Sequence, residues 1–476
     1  MRIPVLRRPV ALALAAALAA PALAQQPAPR PNIVYILADD LGFADVGFQG
    51  SDIRTPSLDA LATGGETIKQ MYALPMCTPT RAAIMTGRYP FRYGLQTAVI
   101  PSGYTYGLAT DEYLLSQALH DAGYYTAIIG KWHLGHADRK YWPRQRGFDY
   151  QYGPLLGELD YFTREQHGVT DWYLNNKRLV EPGYITTLLG NSAVKLIQGH
   201  DFKQPLFLYL AFTAPHTPYQ APQKYLDQYK TIADPNRRAY AAMITAMDDQ
   251  VGQVIVALEK KGVRGNTLII FHSDNGGTRD AMFTGEGNVA GPLPPSDGEL
   301  RGGKGTLYEG GTRVPALVNW PGHIPAGKQV DGPVHVVDMY PTLAGLAGAS
   351  TAKAKQPMDG LDMWPALSTG APSPRTEVVY NIEAFRAGVR EGNWKLVWKA
   401  TLPAKAELFD IAADPFEKTD LSAQQAAKVL ELEERSQQLA AQAVPSLLLQ
   451  AAFKAWLQQL AVPPAFPEEA LDHLTP

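Results

Sequence analysis

The chain has 476 residues, of which 46% are hydrophobic and 19% are charged, and its formal net charge at pH 7 is −3. This weakly acidic composition excludes an overall basic surface for nucleic acid, and the length allows a large core and two domains. The single cysteine, Cys77, has no partner for an intramolecular disulfide. It is therefore either an inert core thiol or a residue retained for its reactivity.

The first 24 residues have the pattern of an export signal. Three arginines within the first eight residues precede an alanine-rich apolar stretch, and Ala22-Leu23-Ala24 forms a small-residue cleavage site. An uncleaved membrane anchor is the alternative, but the apolar stretch is too short to span a bilayer comfortably. Residues 25–30 predict a flexible leader. The signal predicts a periplasmic or secreted protein without a membrane span after cleavage.

Strands that alternate with helices predict an α/β fold, with a large, mainly parallel mixed sheet flanked by helices. We assign residues 31–371 to this larger domain. Its predicted elements are, in chain order, a strand at 32–38, a short helix between Pro79 and Gly87, a helix at 110–122, strands at 124–129 and 205–212, a helix at 236–261 and a strand at 267–271.

The pattern changes near Pro372-Ser373-Pro374. Beyond this point, short alternating segments predict strands, and a polar segment predicts a helix. Residues 372–476 are therefore expected to form a smaller C-terminal domain with an antiparallel sheet, a helix and an apolar tail from Val444 onward. The predicted strands lie at 377–381, 385–390, 394–398 and 408–410, and the helix lies at 422–441.

Polar side chains directly follow four of the predicted strands. In open α/β sheets, ligands bind beyond the carboxyl ends of the strands, so four such coincidences favour one shared crevice. These residues are Asp39 and Asp40, Lys131 and His133, His216, and Asp274 and Asn275.

Four of these residues are candidate metal ligands. Asp39, Asp40, Asp274 and Asn275 offer only oxygen atoms, which suit Ca²⁺ or Mg²⁺ better than zinc. The adjacent carboxylates of Asp39 and Asp40 would repel each other in a crevice unless a cation neutralised them. The alternative is local, because acidic pairs often cap turns and an Asn-Gly sequence is itself a turn signal.

Cys77 precedes a predicted helix in which Thr78 is the N-cap and Pro79 is the first helical residue. A helix N-terminus favours an anion, so we expect this position to lower the pKa of the thiol. Arg81 lies four residues further on, within reach of the same site. The alternative is a buried structural cysteine.

Four further basic residues are candidates for binding an anion. Lys131 and His133 alternate on an extended stretch, so both side chains can face the same side. His216 lies between two prolines, and Lys304 lies in the glycine-rich loop 301–305, which lacks the spacing of a phosphate-binding Walker loop. For each residue alone, the alternative is a solvated lysine or a histidine with its hydrogen bonds satisfied.

Several motifs together resemble the formylglycine-dependent type I sulfatases of the alkaline phosphatase superfamily. The first signature corresponds to 77–81 with 86–88, and the second to 130–135. The Asp-Asp pair, Pro-His-x-Pro at 215–218, Ser-Asp-Asn-Gly-Gly at 273–277 and the segment 302–315 also match, in family order. The similarity covers residues 30–420. Segments such as 87–96 and 146–149 are most similar to the arylsulfatase B (N-acetylgalactosamine-4-sulfatase) branch.

The resemblance implies a sulfuric ester hydrolase that removes sulfate from a sulfated carbohydrate or an aryl sulfate. It implies that a maturation enzyme oxidises Cys77 to formylglycine, whose hydrate supplies the nucleophile. It further implies a bound Ca²⁺, or Mg²⁺ in its place, that activates the nucleophile and polarises the sulfate. The implied metal ligands are Asp39, Asp40, residue 77, Asp274 and Asn275.

The resemblance also implies catalytic roles for the basic residues. His133 is expected to deprotonate the second hydroxyl of the nucleophile. Arg81 is expected to stabilise the nucleophile in its deprotonated form. The sulfate oxygens are expected to contact Lys131, His216 and Lys304, of which Lys304 or His216 protonates the leaving alcohol.

Other functions stay open at this point. The nearest alternative is a phosphonate monoester hydrolase or phosphodiesterase on the same scaffold. A thiol hydrolase that uses Cys77 with His133 is another, and a non-catalytic carbohydrate-binding protein would lack some of the metal ligands. Substrate specificity is expected to depend on the insert 161–184 and on the loop 278–300. In the insert, Tyr161, Trp172 and Tyr173 could stack on a sugar ring, and the alternative is simple packing inside the protein.

Overall fold

The structure of the protein is a computed structural model. It describes residues 30–284, 289 and 291–460. The predicted export signal, and the leader up to residue 29, lie outside the described residues.

Two sheets and a short hairpin contain all the strands of the described chain. The strands are β1 (Asn32–Ala38), β2 (Glu66–Tyr72), β3 (Tyr125–Gly130), β4 (Tyr150–Gly153), β5 (Glu165–Gln166), β6 (Val169–Thr170), β7 (Tyr173–Leu174), β8 (Lys177–Arg178), β9 (Leu206–Ala211), β10 (Thr267–Ser273), β11 (Arg313–Val314), β12 (Ala316–Asn319), β13 (Lys328–His335), β14 (Glu377–Ile382), β15 (Arg386–Glu391), β16 (Trp394–Lys399) and β17 (Lys405–Asp410).

Helices cover both faces of the large sheet and one face of the small sheet. They are α1 (Pro56–Thr63), α2 (Cys77–Thr86), α3 (Leu115–Asp121), α4 (Ile185–Gly199), α5 (Gln223–Leu226), α6 (Pro235–Lys260), α7 (Glu309–Thr312), α8 (Met339–Ala347), α9 (Trp364–Thr369), α10 (Ala426–Ala440) and α11 (Leu447–Leu460).

The large sheet is mixed, with a parallel centre and antiparallel flanks. Its strand order is β11-β2-β12-β10-β1-β9-β3-β4-β7-β8, with β13 paired to β2. The four central neighbours β10, β1, β9 and β3 are all parallel. Their carboxyl ends therefore meet at one edge of the sheet, as the sequence predicts.

The central strand β1 is buried on both faces. Ile33, Tyr35 and Leu37 belong to one hydrophobic core, together with residues of α2, α3 and α8. Val34 and Ile36 belong to a second core, together with residues of α4 and α6. Successive side chains of a strand point to opposite faces, so a continuous apolar strand indicates a sheet covered on both sides.

The small sheet has the order β14-β15-β16-β17, and every pair of neighbouring strands is antiparallel. Leu396 and Leu408 of this sheet pack against Leu432 of α10. The predicted antiparallel sheet with one helix is confirmed.

Two predicted helices begin later than expected. The helix predicted from residue 110 begins at Leu115, where the Gln117 side chain accepts a hydrogen bond from the backbone N–H of Leu114 at 2.9 Å. The helix predicted from 422 begins at Ala426, because the Asp420 side chain accepts from the backbone N–H of Ser422 at 2.9 Å and holds a turn there. Within the apolar tail, to which the sequence assigned no role, residues Leu447–Leu460 form α11.

Among the residues that the structure describes, no helix is both long enough and apolar enough to cross a membrane.

Candidate active site

The polar residues predicted from four strand ends lie together at one edge of the large sheet. The backbone N–H of Asp274 donates to the carbonyl oxygen of Ala38 at 3.0 Å, and that of Lys131 donates to Ala211 at 2.8 Å. These backbone hydrogen bonds therefore connect the loops of neighbouring strands just beyond the last paired residues of those strands. This backbone arrangement brings the side chains of all four loops into one crevice.

Three carboxylates and the Cys77 sulfur form a buried cluster. One ligand atom from each of Asp39, Asp40, Cys77 and Asp274 lies within 4.8 Å of the others. The Cys77 Sγ is 3.5 Å from Asp39 Oδ1 and 4.0 Å from Asp40 Oδ1. This is the position in which the sequence placed the nucleophile relative to the candidate metal ligands.

The side chain of Asn275 adds one more oxygen atom that could bind a metal beside this cluster. Its Nδ2 donates to Asp40 Oδ1 at 2.8 Å. Its Oδ1 is buried and has no hydrogen-bond partner among the described residues. A buried unsatisfied carbonyl beside three carboxylates is costly by itself but suits a hard divalent cation, which prefers oxygen ligands. The residues present therefore fit the predicted Ca²⁺ or Mg²⁺.

Three buried cations pair with the three carboxylates of this cluster. Each pair is close enough to offset part of the cost of removing its two charges from water. The pairs are Lys131 Nζ with Asp39 Oδ2 at 2.6 Å, Lys304 Nζ with Asp40 Oδ2 at 2.8 Å, and Arg81 Nη2 with Asp274 Oδ2 at 2.7 Å.

The pairing of Asp40 with Lys304 keeps both groups charged. Burial alone raises the pKa of Asp40, but the nearby charges of Lys304, His216 and Lys131 outweigh burial and hold this pKa below its usual range. Burial lowers the pKa of Lys304, and the charge of Asp40 more than reverses that effect. Asp274 differs, because burial and then the charge of Asp39 raise its pKa.

Cys77 is the first residue of α2, and Met76 is the N-cap. The prediction of Thr78 as the N-cap is wrong, because its Oγ1 instead donates to the carbonyl oxygen of His133 at 2.9 Å. The prediction of a lowered thiol pKa is also wrong. Burial, and then the charge of Asp274, raise the pKa of Cys77 well above its usual value, and Lys131 offsets only part of this.

His133 faces the crevice through an unusual backbone conformation. Its φ of 57° breaks the extended alternation predicted after Lys131. The backbone N–H of His133 donates to Leu155 at 3.0 Å, and a Cβ on Gly157 would lie 2.2 Å from His133 Cε1. Burial, and then the charge of Lys131, lower the pKa of His133 well below its usual value, so its imidazole is neutral near pH 7.

His216 approaches the same carboxylates from the loop after β9. Its Nδ1 is 2.7 Å from the carbonyl oxygen of Thr217, so Nδ1 carries the proton and Nε2 is left as an acceptor. That Nε2 lies 3.3 Å from Lys304 Nζ. The hydroxyl of Tyr161 donates to the carbonyl oxygen of His216 at 3.0 Å and supports the loop from below.

The crevice above these groups has a volume of about 220 Å³. Four of the predicted catalytic residues form its base, and a wall and rim surround them. The base consists of Cys77, His133, His216 and Lys304, and the surrounding residues are Met76, Val99, Ile100, Pro101, Ser102, Leu156, Gly157, Glu158, Gln166, Met282 and Phe283.

Two polar residues that the sequence did not single out support the cluster. The hydroxyl of Thr278 donates to Asp40 Oδ2 at 2.7 Å. Asp297 Oδ1 accepts from the backbone N–H groups of Phe43 at 3.0 Å and Gly277 at 2.9 Å, and so joins two ligand-bearing loops. Thr278 directly follows the Ser-Asp-Asn-Gly-Gly motif, which is a usable signal. Asp297 gives no such signal, because its contacts are distant in sequence.

The aromatic residues suggested as a sugar platform are not available for stacking. Tyr161, Trp172 and Tyr173 are all buried. Trp172 donates through Nε1 to Glu181 at 2.8 Å and packs against Tyr152. Of the two roles that the sequence left open for these rings, stacking on a sugar and internal packing, the structure shows internal packing.

This arrangement defines a class of enzyme. Buried Cys77 lies beside oxygen ligands for a divalent cation, and two lysines and two histidines lie around the same cluster. Such groups stabilise the negative charge of a tetrahedral oxyanion and move protons to and from the reacting oxygens. The fold and the site together define a hydrolase of anionic esters that is built on an α/β sheet.

Comparison with known proteins gives the family. The Sulfatase family model matches residues 31–349, and the model described as N-sulphoglucosamine sulphohydrolase, C-terminal, matches 303–443. Arylsulfatase J of Mus musculus is 35% identical over 471 residues, with 87% of this chain and 77% of that protein covered. N-acetylgalactosamine-6-sulfatase of Mus musculus is 34% identical over 387 residues, with 77% and 71% covered. The chain belongs to the sulfatase family and is a sulfuric ester hydrolase.

Solved structures agree with this assignment. The crystal structure of Ps i-CgsB in complex with k-i-k-neocarrahexaose is 36% identical, covers 88% of this chain and 94% of that chain, and gives a TM-score of 0.78. The phosphonate monoester hydrolase of Agrobacterium radiobacter gives a TM-score of 0.62 at 22% identity, so that likeness shows a shared fold only. The particular likeness to arylsulfatase B stays a prediction.

Proposed function

We propose that this sulfatase removes sulfate from a sulfated carbohydrate, with a formylglycine made from Cys77 as nucleophile and Ca²⁺ as the bound metal. The observation that carries the proposal is the position of Cys77 Sγ, 3.5 Å from a carboxylate oxygen of the Asp39–Asp40–Asp274 cluster. A hydrated formylglycine supplies one hydroxyl that attacks sulfur and a second hydroxyl whose deprotonation releases sulfate.

The metal would be held by Asp39, Asp40, Asp274 and Asn275 together with residue 77. When bound, it supplies Lewis acidity that lowers the pKa of the nucleophile and polarises the sulfate ester. The three carboxylates are already paired with three cations. A divalent ion therefore gives the site an excess of about two positive charges, which matches an anionic sulfate ester and a deprotonated nucleophile.

The basic residues bind the sulfate group and move protons. Lys131 and Lys304 donate to sulfate oxygens. Of the two candidates for protonating the leaving alcohol, Lys304 is the better donor, because Nε2 of His216 carries no proton when Nδ1 donates to Thr217; that Nε2 lies 3.3 Å from Lys304 Nζ. His133, neutral near pH 7, accepts the proton of the second hydroxyl. Arg81 fixes the orientation of Asp274 through its 2.7 Å contact and adds positive charge beside residue 77.

Several relatives support a carbohydrate substrate. The relatives include an enzyme named N-acetylgalactosamine-6-sulfatase and a structure that contains a neocarrahexaose. The crevice of about 220 Å³ is partly open to solvent, so a sulfate group can bind at its base while the sugar extends outward. The export signal predicted at residues 1–24 supports a periplasmic or secreted enzyme, which acts on extracellular sulfated glycans after a maturation enzyme has modified Cys77.

A direct comparison of substrates tests the proposed function. We expect kcat/KM for p-nitrophenyl sulfate and for sulfated N-acetylgalactosamine to exceed that for phenyl phosphonate esters by about 10²-fold or more. Both kinds of ester are monoanions, so this preference would reflect stronger binding of the sulfuryl group in the transition state. A higher kcat/KM for the phosphonate ester would contradict the proposal and support the phosphonate monoester hydrolase.

Removal of the metal is expected to lower stability as well as activity. The carboxylates and the Asn275 oxygen lose a shared ligand, and a saturating ion at about 100 times its Kd contributes about 2.7 kcal/mol. We expect chelation to lower Tm, and added Ca²⁺ to restore it. The Asp274→Asn variant is the control, because its Tm should respond little to Ca²⁺. A wild-type Tm that is indifferent to chelator and to both Ca²⁺ and Mg²⁺ would contradict the assignment.

A further inference from the structure

The helix α11 is held to the protein body by its first turn. The backbone N–H of Leu447 donates to the carbonyl oxygen of Gly94 at 2.9 Å, and the side chain of Leu447 packs against the hydrophobic core that contains α2. Leu448 and Ala451 are half-buried. Beyond this first turn, every residue in 452–458 is exposed. Most of α11 therefore extends away from the surface to which it is attached.

The exposed part of α11 carries a continuous apolar face. It consists of four large side chains at the spacing i, i+4, i+7 and i+8, which one side of a helix brings together. They are Leu449, Phe453, Trp456 and Leu457, with exposed fractions of 37%, 59%, 52% and 45%. The rings of Phe453 and Trp456 stack with their centroids 5.7 Å apart. Leu447 and Ala451 lie on the opposite side of the helix, so this apolar face points away from the protein body.

An apolar face of this size needs a cover. Phenylalanine and tryptophan side chains present about 150–250 Å² each, so the four exposed side chains leave about 300–400 Å² of apolar surface in water. Helices of about 12–15 residues are also marginal on their own in water, and most of their stability in proteins comes from the packing of an apolar face. Since α11 has 14 residues, we expect its apolar face to be packed against another surface.

The charge on and after α11 disfavours a membrane as that surface. Helices that bind a membrane surface carry several lysines or arginines on their polar side, whereas Lys454 is the single charged residue in the sequence of α11. The 16 residues that follow, 461–476, contain three acidic residues and no lysine or arginine, and the whole chain has a formal net charge of −3. Negative charge of this kind opposes binding to anionic lipid.

We propose that the apolar face of α11 is a homodimer interface, in which the faces of two copies of this chain pack against each other about a twofold axis. In a twofold interface the same surface meets itself, so any charge near its centre would face an identical charge. Leu449, Phe453, Trp456 and Leu457 are all uncharged, and Lys454 lies to the side of the face that they form. The face is therefore self-complementary.

The area of this interface predicts a weak dimer. Contact between two copies of the face would remove about 700 Å² of apolar surface from water, and the flanking side chains would bring the total towards about 1,000 Å², the lower limit for a specific interface. We therefore expect a Kd of about 1–10 μM. This inference concerns the assembly of the chain and does not depend on the proposed substrate.

Sedimentation velocity of the purified full chain between about 1 and 100 μM tests the proposal, with charge variants on the two sides of the helix. Trp456→Glu and Phe453→Glu each put a carboxylate into the apolar face. Gln458→Glu adds the same charge to the polar side of α11 and is the matched control. None of these residues lines the catalytic crevice, so kcat on p-nitrophenyl sulfate should stay within about threefold of wild type and verify that each variant is folded.

We expect the wild type and Gln458→Glu to reach twice the chain mass at the highest concentration, and both face variants to raise Kd by about 10²-fold or more. A wild type that is monomeric over the whole range would overturn the inference, as would a dimer that survives in both face variants or is lost equally in Gln458→Glu. If monomeric wild type sediments with vesicles of phosphatidylcholine and phosphatidylglycerol but Trp456→Glu does not, a membrane replaces the second copy and the inference is again overturned.

Discussion

Replacement of Cys77 by alanine is expected to lower kcat for sulfate ester hydrolysis by about 10⁴-fold or more, because no other group occupies the nucleophile position. The Sγ of Cys77 lies within hydrogen-bonding distance of Asp39, at 3.5 Å, and is enclosed by α2 and the loop after β3. Loss of one buried sulfur should cost only about 1 kcal/mol of folding stability. The measurement is kcat on p-nitrophenyl sulfate together with Tm.

The control for this variant is Thr86→Ala at the far end of the same helix. Thr86 is buried and donates to the carbonyl oxygen of Ala82 at 2.8 Å, but it does not line the crevice. We expect it to retain kcat within about threefold while losing about 1 kcal/mol of stability. A Cys77→Ala variant that keeps turnover comparable to that of Thr86→Ala would remove residue 77 from the mechanism.

The second large effect is expected at Lys395 of β16, in the small sheet. Its Nζ contacts Glu309 Oε1 at 2.9 Å and Glu417 Oε1 at 2.8 Å, and the three side chains are fully buried. Lys395→Met would leave two carboxylates buried without their shared cation. Removal of one partner of a buried ion pair costs about 3–5 kcal/mol, so we expect a loss of that size in the free energy of unfolding.

This ion cluster also connects the small sheet to the loop that carries Lys304. The backbone N–H of Glu309 donates to Glu417 Oε2 at 2.7 Å, and that of Gly310 donates to the carbonyl oxygen of Arg301 at 2.8 Å. Disruption at Lys395 should therefore lower kcat in addition to stability, because a small displacement of Lys304 would weaken its contact with the sulfate.

Urea unfolding and kcat measured on the same preparation check the Lys395→Met prediction. Lys418→Met is the control, because Lys418 pairs with Glu299 at 2.9 Å on the surface, with more than half of each side chain exposed. Exposed pairs contribute about 0–1 kcal/mol. Equal losses of stability in the two variants would show that the buried cluster does not hold the small sheet to the catalytic loop.

Much of the site was predictable because it depends on local rules. An apolar strand that ends in Asp39-Asp40 and three similar strand ends predict a shared edge, and the parallel order β10-β1-β9-β3 places them there. Gly87 ends α2 in a left-handed conformation, as expected for a helix C-terminus. The motifs around Cys77 and Lys131 then identified the family before any contact was known.

The parts that sequence reasoning missed depend on contacts between distant segments. The thiol pKa was predicted from the helix N-terminus alone, whereas burial and the charge of Asp274 dominate it. The sequence left open whether Tyr161 and Trp172 stack on a sugar or pack internally, and only the folded insert shows that they are buried. Asp171 holds the backbone of Leu155 and Leu156 at the wall of the crevice, which no local pattern reveals.

The central claim is that Cys77 is the precursor of the nucleophile, and mass spectrometry of active protein tests it most directly. Trypsin releases residue 77 within the peptide 70–81. We predict that in active preparations this peptide is lighter than the unmodified sequence by about 18 Da, the difference between a CH₂SH and a CHO group, and that specific activity rises in proportion to the modified fraction. Fully active protein whose 70–81 peptide carries only the free thiol would contradict the account.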